Sequence, residues 1–382
     1  MKPLRQQLIR EWQLLLTDSW LLSLTSWVPV MLFFIIWWIF SAGLPRELAI
    51  GVVDLDHSKS SRTLIRQFNS HPSIRVSHQY IDSSAGSTAL RSTEIIALVI
   101  IPSKFEKNII NSKSPQVTAF YNSQFLLTGN LVANSLRQAQ GSFGNTLDLR
   151  TARYDGKVGA QALGAAVPVG SQITPLFNVN TNYAYFLASG VIPGIWQIII
   201  VMITMLSLSR EIRLNGLAAW LGDQPIAAIA GKLLPYTVIL WLQGVVFLMF
   251  MYGLLHWTMN GSWAILLLGQ LLMVVASQAM GLLLFLLVKD PARALSMAAA
   301  YTAPSFAFMG VTFPASSMTT IAQLWRNILP VSHYIEIQLF QTNHGASIFS
   351  ALPHMGALLL FFIAFPLAYK LATNIQCKAQ TA

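Results

Sequence analysis

Two groups of side chains have spacings that could support chemistry, and Asp54, Asp56 and His57 form the first. Two carboxylates and an imidazole so close together could bind a metal or act as acid and base. A metal site needs further ligands from elsewhere in the chain, whereas Asp residues after an apolar run commonly form turns and caps. We therefore interpret these residues as turn and capping residues and expect no bound metal.

His333 and Glu336 form the second group, and their spacing of three residues places both on one face of a helix. Two ligands do not complete a zinc site. We interpret them as a hydrogen-bonded pair at a membrane interface. A membrane-embedded enzyme built on this pair is the weaker alternative.

The motifs of common catalytic centres are absent from the sequence. It contains neither Gly-x-Ser-x-Gly nor His-Glu-x-x-His. A P-loop needs G-x-x-x-x-G-K followed by Ser or Thr, but Gly231 and Lys232 are followed by Leu233, and no glycine stands five residues before Gly231. We therefore expect no catalytic residue, no cofactor bound by this chain and no ATP hydrolysis by the chain itself.

A short charged segment, residues 210–232, lies between two apolar stretches. Its polar and turn-forming residues are Arg210, Glu211, Arg213, Gly216, Pro225, Gly231 and Lys232. A rigid loop of this kind could dock in a groove of a partner protein and pass rigid-body motion to the segments on either side. On the pattern alone, its basic residues could also simply hold the topology of the chain in a membrane.

The composition explains why such a segment is conspicuous. Of the 382 residues, 54% are hydrophobic and only 10% are charged, whereas soluble domains carry roughly 25% charged residues. This excludes an ordinary soluble enzyme. The single cysteine, Cys377, excludes a disulfide framework within the chain.

Six stretches contain no Asp, Glu, Lys or Arg and approach the ~20 apolar residues that cross a bilayer. They are residues 19–44, 187–209, 233–255, 263–288, 294–313 and 351–369. The first is longer than the apolar region of a signal peptide, so we interpret it as an uncleaved anchor. The predicted fold is an α-helical membrane protein with six transmembrane helices.

The basic residues indicate the orientation of these helices. Ten Lys and Arg flank the spans on one side, whereas the short loops of the other side contain only Arg326. The positive-inside rule then places both termini in the cytoplasm. We interpret the net charge of +10 as this topology signal, and expect no nucleic-acid partner.

The remaining segments are an N-terminal arm and a large insertion. In residues 1–18, the spacing of Leu4, Leu8, Trp12 and Leu15 predicts an amphipathic elbow helix in the membrane plane. Residues 45–186 alternate β-branched runs with helical patterns, which predicts an inserted α/β domain between the first two spans, on the extracytoplasmic side. Residues 187–382 then form a five-helix transmembrane domain.

The order of several short motifs resembles the permease subunits of the type-2 ABC transporter family. The motif residues are Phe177-Asn178, Pro193-Gly194, Arg210-Glu211, Gly216, Gln224-Pro225, Gly231-Lys232, Pro235, Phe313-Pro314 and Leu329-Pro330. The resemblance covers most of the chain. It implies that residues 210–232 couple to a separate ATPase subunit, which binds ATP and Mg²⁺.

The resemblance has further implications. It implies a bacterial inner-membrane exporter in which two permease subunits, identical or paralogous, form the pathway among the membrane lipids. A periplasmic adaptor protein is compatible with it. Residues 314–350 would form an external re-entrant segment, with Trp325, Pro330, His333 and Glu336. The candidate pathway-lining residues are Met297, Tyr301, Phe306 and Met309.

One alternative from another class stays open. A membrane sensor or scaffold, whose periplasmic domain binds a ligand without transport, would show the same apolar spans and the same inserted domain.

Overall fold

The computed structural model describes residues 2–41, 43, 45–111, 113–154, 182–214 and 216–381. The chain divides into two compact units. Residues 1–43 and 175–382 form the first unit, and residues 44–174 form the second. The motif residues Phe177 and Asn178 lie outside the described residues.

Three helices open the first unit: α1 (Lys2–Thr17), α2 (Ser19–Thr25) and α3 (Trp27–Phe40). Asp18 caps α2, because its carboxylate accepts hydrogen bonds from the first backbone N–H groups of that helix. The axes of α2 and α3 are bent by 42° at Ser26, whose hydroxyl donates to the carbonyl of Leu22. The predicted first span is therefore a bent helix pair.

The second unit contains a four-stranded mixed sheet. Its described elements are β1 (Leu48–Asp54), α4 (Lys59–Asn69), β2 (Ile74–Tyr80), α5 (Ser83–Arg91), β3 (Ala97–Ile101), α6 (Phe105–Ile110), β4 (Thr118–Tyr121) and α7 (Leu126–Tyr154). The strand order is β2-β1-β3-β4, with β1 parallel to both neighbours and β4 antiparallel to β3. The adjacent residues Val52 and Val53, whose side chains point to opposite faces, are both fully buried, as expected for a central strand covered on both faces.

Among its described residues, the first unit has ten further α-helices. They are α8 (Tyr183–Leu214), α9 (Leu217–Leu221), α10 (Pro225–Leu248), α11 (Trp263–Val288), α12 (Pro291–Thr302), α13 (Ser305–Phe308), α14 (Thr320–Asn327), α15 (Pro330–Leu339), α16 (Ile348–Leu360) and α17 (Ala364–Thr381). Among them, α11 is central and packs against α8, α10, α15 and α17.

Four helical stretches of the described residues are long and apolar enough to cross a membrane. They are Ala184–Leu214, Pro225–Leu254, Trp263–Val288 and Ile348–Cys377. The bent pair of α2 and α3 brings the number to five if it counts as one span. These stretches contain the predicted second, fourth and sixth spans and all but the last residue of the third, so the chain is a helical, multi-pass membrane protein.

The prediction of one continuous helix over residues 294–313 is wrong. α12 ends at Thr302, and α13 covers only Ser305–Phe308. Pro304 stands at the break, where its ring and its missing N–H prevent a continuous helix. The 12 residues of α12 rise about 18 Å, which is less than the hydrocarbon thickness of ~30 Å.

Candidate functional site

The charged segment 210–232 folds as a short helix between two long ones. α8 runs past Arg210 to Leu214, α9 covers five residues, and α10 begins with Pro225 at its first position, where no backbone donor is lost. Gly216 and Gly222 flank α9 with φ values of +81° and +48°, which glycine adopts without strain. The predicted loop is thus a compact helical turn.

Its two ends carry charged residues that form a buried ion cluster with α1. The ammonium of Lys232 lies 2.8 Å from Glu11 Oε2 and 2.6 Å from Glu211 Oε1. The guanidinium of Arg10 binds both oxygens of Glu211, at 3.1 and 2.7 Å. Two positive and two negative side chains therefore neutralise one another, while the side chains of Lys232, Glu11 and Glu211 are at most 2% exposed.

Hydrogen bonds extend the cluster along α1. The hydroxyl of Tyr236 donates to Glu11 Oε1 at 2.7 Å. Arg210 donates to the carbonyl of Leu14 at 2.5 Å and to Thr17 Oγ1 at 3.1 Å, and it lies 3.3 Å from Asp18. The Leu14 carbonyl, in the last turn of α1, also accepts from the backbone N–H of Asp18 and from the hydroxyl of Thr17, so Arg210 adds a further donor at the end of this helix. These contacts fix α1 to both α8 and α10.

Gly231 brings α1 close to α10. A Cβ atom added at Gly231 would lie 2.5 Å from the Cβ of Gln7.

The hydrogen bond to Glu211 raises the pKa of the Arg10 guanidinium above its ordinary value, although burial opposes this. Arg10 therefore stays charged.

The predicted coupling residues fall into two sets. Four of them (Arg210, Glu211, Gly231 and Lys232) face α1 within the protein. Of the other three, Arg213 is exposed and begins an exposed edge of the loop, whereas Gly216 is half-buried and Pro225 is buried. Leu214, Asp223, Gln224 and Ile226 complete this exposed edge, which we call the loop rim.

Sequence reasoning missed Arg10, Glu11 and Tyr236 as members of the cluster. A signal for Glu11 exists, because it stands three residues after Leu8 and four before Leu15, on the apolar stripe of α1. A carboxylate there requires a buried partner. The identity of that partner depends on which helices meet in the fold.

Residues 314–350, the predicted external segment, place their candidate residues differently from expectation. Arg326 donates to Glu336 at 2.5 Å, and His333 Nε2 lies 3.1 Å from the carbonyl of Asn327. The predicted pair between His333 and Glu336 is therefore wrong, since each side chain binds a residue of the α14 region. Pro330 starts α15, and Trp325 packs against the main core.

The predicted pathway residues also separate. Met297 on α12 is 39% exposed, whereas Met309 is fully buried. Tyr301 donates to the carbonyl of Ile328 at 2.6 Å, and Phe306 packs beside Gly194. Tyr301 and Met309 are thus core residues here, and Met297 is the member of the four that reaches the surface.

The carboxylates of the second unit form turns and caps, as predicted. Asp54 accepts hydrogen bonds from the backbone N–H groups of Asp56 and His57 and from the hydroxyl of Ser61. Asp56 accepts from the backbone N–H groups of Phe105 and Glu106, each at 3.0 Å. Within the described part of the chain, no three His, Cys, Asp or Glu side chains are grouped to hold a metal.

Comparison with known proteins identifies the family. The family model described as ABC-2 family transporter protein matches residues 19–369. The chain therefore belongs to the ABC-2 transporter family, as a permease subunit. No curated protein and no solved structure shows a significant match.

Proposed function

We propose that this chain is the permease subunit of an ATP-driven exporter in a bacterial inner membrane. A separate ATPase subunit, which the ABC-2 family implies in general, would bind ATP and Mg²⁺ and contact the loop rim from the cytoplasm. The observation that carries the proposal is the ion cluster of Arg10, Glu11, Glu211 and Lys232 directly behind the exposed loop.

The cluster supports a mechanical role because it joins three helices. A push on α9 is transmitted to α8 and α10 through the backbone on either side of it. Glu211 and Lys232 bind to α1, so the N-terminal helix moves with them. Packed elements of this kind shift as rigid bodies rather than deforming continuously. In this arrangement the contacts that transmit force are those of the buried ion cluster, and the contacts to the ATPase subunit lie on the loop rim.

The pathway would form between two permease subunits. The exposed face of α12 carries Met297 beside the small residues Ser296, Ala299 and Ala300, and we propose that it faces the second subunit. The bent pair α2 and α3 would form one membrane crossing. The broken pair α12 and α13 would form another, which brings the number of crossings to six. The α/β unit would lie in the periplasm, where it could meet an adaptor protein.

Capture of the partner tests this function. The tagged chain is purified from its native host in mild detergent, and bound proteins are identified by mass spectrometry. We expect a nucleotide-binding subunit to copurify with the wild-type chain. The double reversal Arg213→Glu and Asp223→Lys should reduce its recovery at least tenfold, because it inverts the charges of the loop rim.

A matched reversal on the second unit, Arg137→Glu, serves as the control and should leave the recovery unchanged. A chain that purifies alone and stable from every growth condition would contradict the exporter proposal and favour a sensor. Equal capture by the wild type and the rim variant would contradict the docking role of the rim.

A further inference from the structure

α10, α11 and α17 enclose an apolar groove on the surface of the first unit. Its volume is about 340 Å³, at the lower end of the range of roughly 300–1,000 Å³ that is usual for ligand sites. Most of its lining comes from the first half of α10 and from Phe365 and Tyr369 of α17. It therefore lies beside the charged loop, and it is separate from the exposed face of α12.

The two polar side chains between α10 and α11 at the groove, Thr237 and Gln278, already have hydrogen-bond partners within the protein. Thr237 Oγ1 lies 2.7 Å from Gln278 Oε1 and 3.0 Å from the carbonyl of Leu233. The amide nitrogen of Gln278 donates to the same carbonyl at 3.4 Å. Since these polar atoms bind one another and the other lining residues of α10 and α11 are apolar, a polar ligand would gain little in exchange for losing water. The groove suits a hydrocarbon chain.

The rim of the groove is open towards the space outside the helices. Ile226, Leu234 and Tyr369 are 67%, 44% and 41% exposed. In a bilayer these side chains contact lipid, so a lipid chain reaches the groove without passing through water. An empty groove would forfeit the dispersion contacts of its walls.

A basic residue comes next in sequence after the last groove-lining residue of α17, in the direction of Gln376, which binds the loop. Lys370 follows Tyr369 and is exposed, and no ion pair within the described residues involves it. Tyr and Lys together are typical of the depth at which lipid headgroups lie. A cytoplasmic basic residue near the membrane surface attracts anionic headgroups.

We propose that this groove binds an acyl chain of an anionic phospholipid from the cytoplasmic leaflet, with Lys370 contacting its phosphate. The choice of leaflet rests on the cytoplasmic placement of the loop in the proposed function. The bound lipid braces α10 against α17. Because Gln376 of α17 donates to the carbonyl of Gly222, the lipid also supports the turn that ends α9, and so the loop rim.

Filling the groove with a side chain tests the site. Ala230 lines the groove, so Ala230→Trp should occupy the space of the lipid chain. The purified chain in mild detergent is examined by native mass spectrometry, and we expect the wild type to retain one phospholipid more than the variant. Ala230→Leu, a smaller change, repeats the test if the tryptophan variant unfolds.

Val238→Trp is the matched control. Val238 lies on the same helix and is 50% exposed, but it does not line the groove, so this variant should retain the wild-type number of lipids. Equal lipid retention by the wild type and both Ala230 variants would overturn the proposal. The measurement uses the chain alone, so a failure to capture an ATPase subunit does not affect it.

The role of Lys370 is tested by exchange of the retained lipid. Purified chain is incubated with equal amounts of phosphatidylglycerol and phosphatidylcholine, and the bound species are counted. Lys370→Gln should lower the preference for phosphatidylglycerol about fivefold, the effect of one basic residue at a membrane surface. An unchanged preference would overturn the headgroup assignment.

Discussion

Lys232 is the residue on which the buried cluster depends most, because its ammonium bridges carboxylates from two helices. Arg10 also binds Glu211, so Glu211 keeps a cation if Lys232 is lost. Glu11 would keep only the hydroxyl of Tyr236. A carboxylate buried to this degree is costly without a positive partner.

We therefore expect Lys232→Met to lower the free energy of unfolding by about 3–5 kcal/mol, the usual cost of breaking a buried pair. Denaturant titration or thermal unfolding of the detergent-purified chain measures it. Arg213→Met, on the exposed edge of the same loop, is the control and should stay within about 0.5 kcal/mol of the wild type. Equal stability of the two variants would show that the cluster does not stabilise the fold.

Gly231 lets α1 pack closely on α10 because it has no side chain. Gly231→Ala places a methyl group 2.5 Å from the Cβ of Gln7, so α1 must move away from α10. We expect a lower unfolding temperature and faster proteolysis of residues 1–18. Gly253→Ala, where no atom lies within 4 Å of the added Cβ, should leave both unchanged. Similar behaviour of the two variants would mean that α1 is not held at Gly231.

At the scale of elements, α6 is capped by a residue distant in sequence. Burial would raise the pKa of Asp56, but hydrogen bonds from Ser58 and from the backbone N–H groups of Glu106 and Phe105 outweigh it and hold the pKa below the ordinary value of 3.8. A carboxyl with a lowered pKa stabilises the folded state above its ordinary pKa, and this contribution is lost as the pH falls through the folded-state value.

Hydrogen exchange in α6 should therefore depend on pH. We expect the protection of the Phe105 and Glu106 amides in the full-length chain to decrease as the pH falls below 4, more than that of amides in β3. In Asp56→Asn the protection should be lower at neutral pH and nearly independent of pH. A wild-type α6 that keeps its protection at pH 3 would contradict the capping role.

The break between α12 and α13 shows how one residue shapes an element. A composition without charges predicts a span over residues 294–313, but the helical hydrogen bonding ends with the bond from Ala303 to Ala299, directly before Pro304, which has no N–H to donate. Hydropathy reports only the apolar character of this segment and not the break within it. The position of the proline and the packing around it decide that the segment consists of two short helices.

At the scale of the whole molecule, the topology gives a direct test of the proposed arrangement. In a Cys377→Ser background, Asp223→Cys places one thiol on the loop rim, and Ser84→Cys places one on the α/β unit. We expect membrane-impermeant reagents on intact cells to label Ser84→Cys alone. Asp223→Cys should react only after the cells are opened. Labelling of Asp223→Cys from outside would contradict the cytoplasmic position of the loop.

The amino-acid sequence by itself determined the class of this protein. Stretches of apolar residues specify membrane helices because a helix satisfies its backbone hydrogen bonds within a single segment, as a chain surrounded by lipid requires. The alternation of β-branched runs and helical patterns in residues 45–186 likewise predicted the strands and helices found there, since short-range periodicity governs such elements. The order of short motifs predicted the ABC-2 permease family, which the family match confirms.

Only the tertiary structure decided which charged residues act together. Arg210, Glu211 and Lys232 could be recognised as a charged loop, but their partners Arg10 and Glu11 lie about two hundred residues away in the sequence. The pairing of buried charges depends on which helices pack together, and short-range sequence patterns do not specify that packing. The division of the loop into an inner cluster and an exposed rim follows from this packing.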